Sequence, residues 1–181
     1  PDVVLIGEVR DAETAASAIQ ASMTGHLVFS TIHTNDAAGT FTRLIDMGIE
    51  PYLVASTLQG VLAQRLVRRL CRHCRVEYLP AADLIPEDCQ LPPAHTLWNA
   101  FGCRECRGSG YAGRIAIFEL LMTSSRIRAL CMQQSDSAEI RMEAVRQGMQ
   151  TLRQNGWQRV LAGETSMDEL IRVCPLDTEG E

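Results

Sequence analysis

Two C-x-x-C pairs, Cys71–Cys74 and Cys103–Cys106, constrain this chain more than any other feature in it. Each pair can span one edge of a tetrahedron, and four thiolates together complete a closed shell for Zn²⁺. Closing that shell forces the stretch from Arg75 to Gly102 to leave and return as an excursion. Pro80, Pro86, Pro92 and Pro93 break any long element there, while Gly102, Gly108 and Gly110 supply the turns. The rival is a redox C-x-x-C, but redox motifs seldom come as two matched pairs. No basic start leads into an apolar leader segment, so the paired thiols point to metal in a reducing compartment rather than to disulfides. With four protein ligands no coordination position stays open, and such a metal stabilises rather than catalyses. His73, inside the first pair, is a weaker ligand candidate. Cys89, Cys131 and Cys174 stand alone and read as buried or incidental thiols.

Upstream of the cysteines the pattern is α/β. Val3 to Ile6 is an apolar run that reads as a buried strand, and the chain starts directly on it, as if cut from something longer. Asp11 can cap a helix over "AETAASAIQASM", with Ala12, Ala16, Ile19 and Met23 as its stripe and Gly25 as its stop. "HLVFSTIHT" reads as a second buried strand, completing a βαβ unit. "DAAGTFTRLIDMG" reads as a helix between Asp36 and Gly48, and "PYLVASTLQGVLAQRLVRRL" as one long helix from Pro51 to Leu70. A return strand follows at "GRIAIFELL". Four helices come after it, over Arg126–Met132, Ala138–Gln147, Leu152–Leu161 and Met167–Val173, the last with a capping box from Ser166 to Glu169. Trp98 and Trp157 read as core or interface residues, and the tail "PLDTEGE" as a frayed end.

The first strand ends in Gly7 and Glu8, and the second in His33 beside Thr31, Thr34 and Asn35. Ligands of open α/β sheets collect at the carboxyl ends of strands, so Glu8 and His33 would share one rim if the strands are neighbours. An acid there can position water or a metal-bound water, as at the second strand of P-loop NTPases. His26 precedes the second strand, where a capping role weighs evenly against a catalytic one. Arg10 suits a phosphate or a salt bridge equally. Arg65, Arg68, Arg69, Arg72 and Arg75 form a basic run. The net charge of −5 and the lack of aromatic residues among these arginines argue against a nucleic-acid partner. Most of the run reads as a solvated helix end.

"PDVVLIGEVRDAETA", "TGHLVFSTIHTNDA", "VLAQRLVRRLCRHC" and "GCRECRGSGYAGRIAIFELL" together closely resemble the secretion ATPases of type II secretion and type IV pilus assembly. The likeness runs from Pro1 to about Val173. It implies an atypical Walker B box at Glu8, with Gly7 in place of an acid, and a His box carrying His26 and His33. It implies nucleotide contacts at Arg65 and Arg114, beside the phosphate candidate Arg10, and zinc on Cys71, Cys74, Cys103 and Cys106. The implied fold is a partial RecA-like P-loop NTPase core (residues 1–70), a tetracysteine zinc subdomain (71–112), and a return strand with a helical C-terminal domain (113–181). The implied whole is a homo-hexamer using ATP and Mg²⁺, cytoplasmic and peripheral at the inner membrane, working with secretion or pilus platform proteins. The tetracysteine insertion resembles the assembly branch more than retraction motors. No G-x-x-x-x-G-K-[ST] loop occurs in the sequence. Nothing here cradles the β- and γ-phosphates, so we expect this piece alone to be inactive. A zinc-stabilised docking module and a zinc nucleic-acid binder are the readings from other classes.

Overall fold

The apolar run Val3 to Ile6 opens β1 (Val3–Val9), and Asp11 then starts α1 (Ala12–Met23) by accepting the Thr14 N–H at 2.8 Å. Gly25, at φ +96°, turns the chain into β2 (Leu27–Ile32). The strands pair in parallel, Val3 opposite Leu27 and Ile6 opposite Ser30, which is the expected βαβ unit. The α1 stripe lies one step round from the expected one: Ala15 and Ile19 are buried, whereas Met23 is exposed. Alanines on several faces of this helix leave its phase unspecified until the sheet selects one. The computed structural model describes residues 1–175, and the expected frayed end, 175–181, lies outside them except for Pro175.

The chain forms two compact units, Pro1–Ala63 with Glu119–Met149, and Gln64–Phe118 with Gln150–Glu181. In the first, α2 (Gly39–Asp46) and α3 (Pro51–Thr57) follow the βαβ unit. The unit is completed by α4 (Ser125–Met132) and α5 (Ser137–Arg146), which occupy two of the expected helical segments. Phe41, Val54, Leu121, Ile127, Cys131 and Ile140 form its core with Ala15 and Ile19. The opposite face of the small sheet is bare: Val3, Leu5, Leu27 and Phe29 are all exposed.

The expected long helix from Pro51 to Leu70 does not form. α3 ends at Thr57, whose hydroxyl bonds back to the Leu53 carbonyl at 2.7 Å, and Leu58 is already extended. From Gly60 the chain runs as β3 (Gly60–Leu70), paired with β6 (Tyr111–Met122). Leu62, Leu66 and Leu70 recur at helical spacing, so the local pattern favours a helix. A partner strand some 50 residues away in sequence overrides it, a non-local pairing that no local window contains. Gly60 fits this close approach, because a Cβ there would lie 3.1 Å from the Leu121 carbonyl oxygen.

The second unit carries the cysteine-bearing segment. β4 (Val76–Tyr78) and β5 (Leu97–Asn99) pair antiparallel, Glu77 opposite Trp98. The excursion between them is tied to α6 (Leu152–Leu161) and its flank. Arg153 pairs with Asp88 at 2.5 Å, the Trp157 indole N–H donates to the Gln90 carbonyl at 2.8 Å, and His95 meets the Leu161 carbonyl. Ser166 caps α7 (Met167–Val173) by accepting the Glu169 N–H, but only half of the expected capping box exists. The Glu169 carboxylate turns inward instead. It accepts from Arg172 and from both the guanidinium and backbone N–H of Arg68, while Arg68 stacks 4.1 Å over the Tyr111 ring. Among the described residues no helix is long and apolar enough to cross a membrane.

Candidate functional site

Between Ile6 and Val9 the β1–β2 register slips by one residue, so that Gly7 and Glu8 together face Thr31. A bulge of this kind bends the strand and re-aims a side chain. The Thr31 hydroxyl closes it by donating to the Gly7 carbonyl at 2.8 Å. Nothing lies within 4 Å of where a Gly7 Cβ would project, so the space beside the bulge is open. The Glu8 side chain, 22% exposed, meets Arg10 at 2.5 Å through Oε2 and His33 Nε2 at 2.5 Å through Oε1. Arg10 and then His33 hold its carboxyl below the usual range, against the opposing effect of desolvation. Oε1 is sealed from solvent, and the group against it is the titratable His33 imidazole. A carboxylate oxygen whose neighbour is an imidazole that can give up its proton is a ready acceptor for a water proton or a hard cation such as Mg²⁺. The residues present therefore fit the magnesium that the acid box implies.

His26 does not join this group. It sits at the amino end of β2, the far end of the strand from His33, where its Nδ1 meets the Ala21 carbonyl at 3.1 Å and the Thr24 hydroxyl at 3.0 Å. Those contacts finish the carboxyl end of α1, which is the capping role weighed for it above. Arg65 on β3 and Arg114 on β6 are exposed strand residues of the other unit, outside the unit that carries Glu8.

Two residues near the rim have roles that the sequence did not assign. Thr31 gains its role only from the bulge. Glu119, 2% exposed on β6, accepts the Ala37 N–H at 2.9 Å and so anchors the connection that leads from His33 into α2. A lone acid inside "IAIFELL" was the available signal, because a charge on a buried register needs a partner.

The four expected cysteines converge. Sγ separations are 3.9 Å for Cys71–Cys103, 3.8 Å for Cys74–Cys106 and 3.7 Å for Cys103–Cys106, with all four sulfurs within 4.8 Å of one another. A tetrahedron with sulfur about 2.3 Å from its centre has edges of about 3.8 Å, so the cluster has the dimensions of a Zn²⁺ site. Backbone N–H groups point at the sulfurs: Gly102 at Cys74, and Cys103 and Gly110 at Cys106. Burial alone would raise the Cys106 thiol, but those two N–H groups together with the Cys103 and Cys74 side chains outweigh it and bring it to about 6. Burial pushes Cys74 up to about 12, and a cation is what would release its proton. Gly102 and Gly110 both lie at positive φ, and a Cβ on Gly102 would come within 2.6 Å of the Gly108 carbonyl oxygen. His73 is absent from the cluster.

Residues 1–172 match the family described as type II/IV secretion system protein. The chain belongs to that family. Among its curated relatives are the type II secretion system protein HxcR of Pseudomonas aeruginosa, 47% identical over 96% of this chain, and the type IV pilus assembly ATPase TfpB of Acinetobacter baylyi, 44% identical over 97%. The chain spans about a third of the length of each, 34% and 31% respectively. It superposes on the pilus retraction motor PilT, solved with bound ADP, at a TM-score of 0.67 with 25% identity, covering 99% of this chain and 41% of that one. The α/β architecture expected from the motifs is thus that of the secretion ATPases.

Proposed function

We propose that this chain is the C-terminal part of a hexameric ATPase that powers type II protein secretion by driving pseudopilus assembly. The observation that carries the reading is Glu8, held on a bulge at the carboxyl end of a parallel strand with His33 against its solvent-sealed Oε1. In this reading Oε1 of Glu8 orients the attacking water and accepts its proton, and Arg10 keeps the carboxyl ionised beforehand. His33, on the neighbouring strand end, follows the terminal phosphate by hydrogen bonding. Through Thr31 and the Glu119-anchored connection, its position is linked to the strand and to α2. Magnesium, when bound, neutralises charge on the β- and γ-phosphates. Arg65 and Arg114 are further nucleotide contacts in this proposal, and zinc on the four cysteines is structural. The missing phosphate loop, the ring, the platform proteins and attachment at the inner membrane belong to the whole protein. The likeness to TfpB supports type IV pilus assembly as the second reading.

The test uses full-length protein containing this chain. Glu8→Gln is expected to lower ATP turnover about 10²-fold or more while leaving nucleotide binding within a few fold. The 181-residue chain alone is expected to show no turnover. Glu8-dependent hydrolysis by that chain alone, or full activity in the Gln variant, refutes the assignment.

A further inference from the structure

Most arginines around the first cysteine pair are engaged. Arg68 is bound to Glu169, and Arg75 lies 4.2 Å over the Trp98 ring and donates to the Gly163 carbonyl at 2.5 Å. Arg69 and Arg72 differ: among the described residues neither has a carboxylate or carbonyl partner. Both line one cleft of about 230 Å³ together with Arg75 and the Gly163–Glu164 turn.

The cleft has a fixed frame. Gly163 sits at φ +66°, and a Cβ there would lie 2.6 Å from Trp98 Cδ1 and 3.1 Å from Arg75 Nη1. The turn is therefore pressed against the stacked arginine, and the Leu70 N–H donates to the Glu164 carbonyl at 2.9 Å from the adjoining strand. The single carboxylate of the lining, Glu164, is already paired with Arg159 at 3.0 Å. Three guanidinium groups thus border a space with no uncompensated negative charge. Planar N–H forks match phosphate oxygens in pairs, and the volume falls below the roughly 300–1,000 Å³ typical of larger organic ligands.

We propose that this cleft binds a phosphate group, separately from any nucleotide at the Glu8 rim. The same chemistry is offered by free phosphate and by a phospholipid headgroup. Arg69 and Arg72 supply the binding forks, while Arg75, held by Trp98 and Gly163, sets the back wall.

Arginine Nε–Hε resonances of the 181-residue chain, titrated with inorganic phosphate at constant ionic strength, provide the test. Saturable shifts at Arg69, Arg72 and Arg75 are expected. The double variant Arg69→Gln/Arg72→Gln should weaken binding about tenfold or more, and Arg126→Gln, in the other unit, should leave it unchanged. Neither substituted residue holds a fold contact, and an unchanged Arg75 resonance in the unliganded variant checks that the frame persists. In a second arm, vesicles of phosphatidylcholine with or without phosphatidic acid are sedimented with the chain. Retention that needs phosphatidic acid and both arginines identifies a headgroup as the source. Phosphate binding without retention identifies the free ion. Linear, salt-like drift of the wild-type resonances, with vesicle retention equal in the double variant, overturns the proposal. Because Glu8 is untouched throughout, failure here leaves the ATPase reading standing.

Discussion

The bulge that aims Glu8 is bridged by one hydroxyl. Thr31 spans the bulge to the Gly7 carbonyl, beside the Glu8–His33 contact that links the same two strand ends. Thr31→Val is expected to lower the unfolding free energy by about 1 kcal/mol, with Thr31→Ser recovering most of it, as read from urea midpoints. A Val variant as stable as wild type would show that the bulge is held by other means. Glu8, His33 and the cysteines were legible beforehand because each is a reactive side-chain type at a strand end or at ligand spacing. The bulge was not, since a register slip is a property of two strands and a single strand's pattern carries no trace of it. Glu119 and Glu169 were equally opaque. Glu119 reads as one residue of the return strand and Glu169 as half of a capping box, and burial beside a distant N–H or guanidinium is what distinguishes them.

At the scale of elements, β3 marks where local reasoning failed. Its leucines keep helical spacing, yet pairing with β6 makes it a strand, and Arg65, Arg68 and Arg69 become strand side chains rather than a solvated helix end. One consequence is the tie between β3 and α7. Burial would raise the Glu169 carboxyl, but Arg172 and Arg68 outweigh it and hold it at about 2, against an ordinary value of 4.5. A lowered folded-state value gives stability that is complete above the unfolded-state value and is lost as pH falls towards 2. The difference corresponds to something on the order of 3 kcal/mol. Denaturation measured from pH 7 to pH 2 should therefore show the second unit losing stability below about pH 4.5. Glu169→Gln should lower stability at pH 7 and flatten that acid limb, and an unaltered limb contradicts the assignment. The cysteine cluster makes a parallel demand on β4, β5 and the excursion between them, which contain few apolar contacts of their own. Chelation at neutral pH is expected to release about one zinc per chain, to free four thiols, and to lower the melting temperature of the second unit. Metal analysis and thiol titration check this, and a melting profile indifferent to chelator would leave the four sulfurs without a structural ion.

For the molecule as a whole, the bare face of the β1–β2 sheet is the feature that a chain of this length leaves unresolved. Parallel sheets are covered on both faces, and a two-stranded sheet is marginal alone. Yet Leu5, 76% exposed, and Phe29, 55% exposed, are direct cross-strand partners on the side away from α1. The relatives are about three times as long, and in the proposed motor the part carrying the phosphate loop covers this face. Covering it would also set the lysine and the serine or threonine of that loop near the rim where Glu8 waits. The 181-residue chain by itself is therefore expected to bind a hydrophobic dye and to self-associate. Leu5→Lys/Phe29→Glu should suppress both without unfolding it, because neither side chain contributes to the core of the first unit. In the full-length protein the same pair should instead destabilise by about 3 kcal/mol or more, since two buried apolar side chains are replaced by charges. The opposite signs in the two contexts are what matter. If the double variant is harmless in the full-length protein, the face is open there too, and the missing half of the nucleotide site must approach Glu8 from elsewhere.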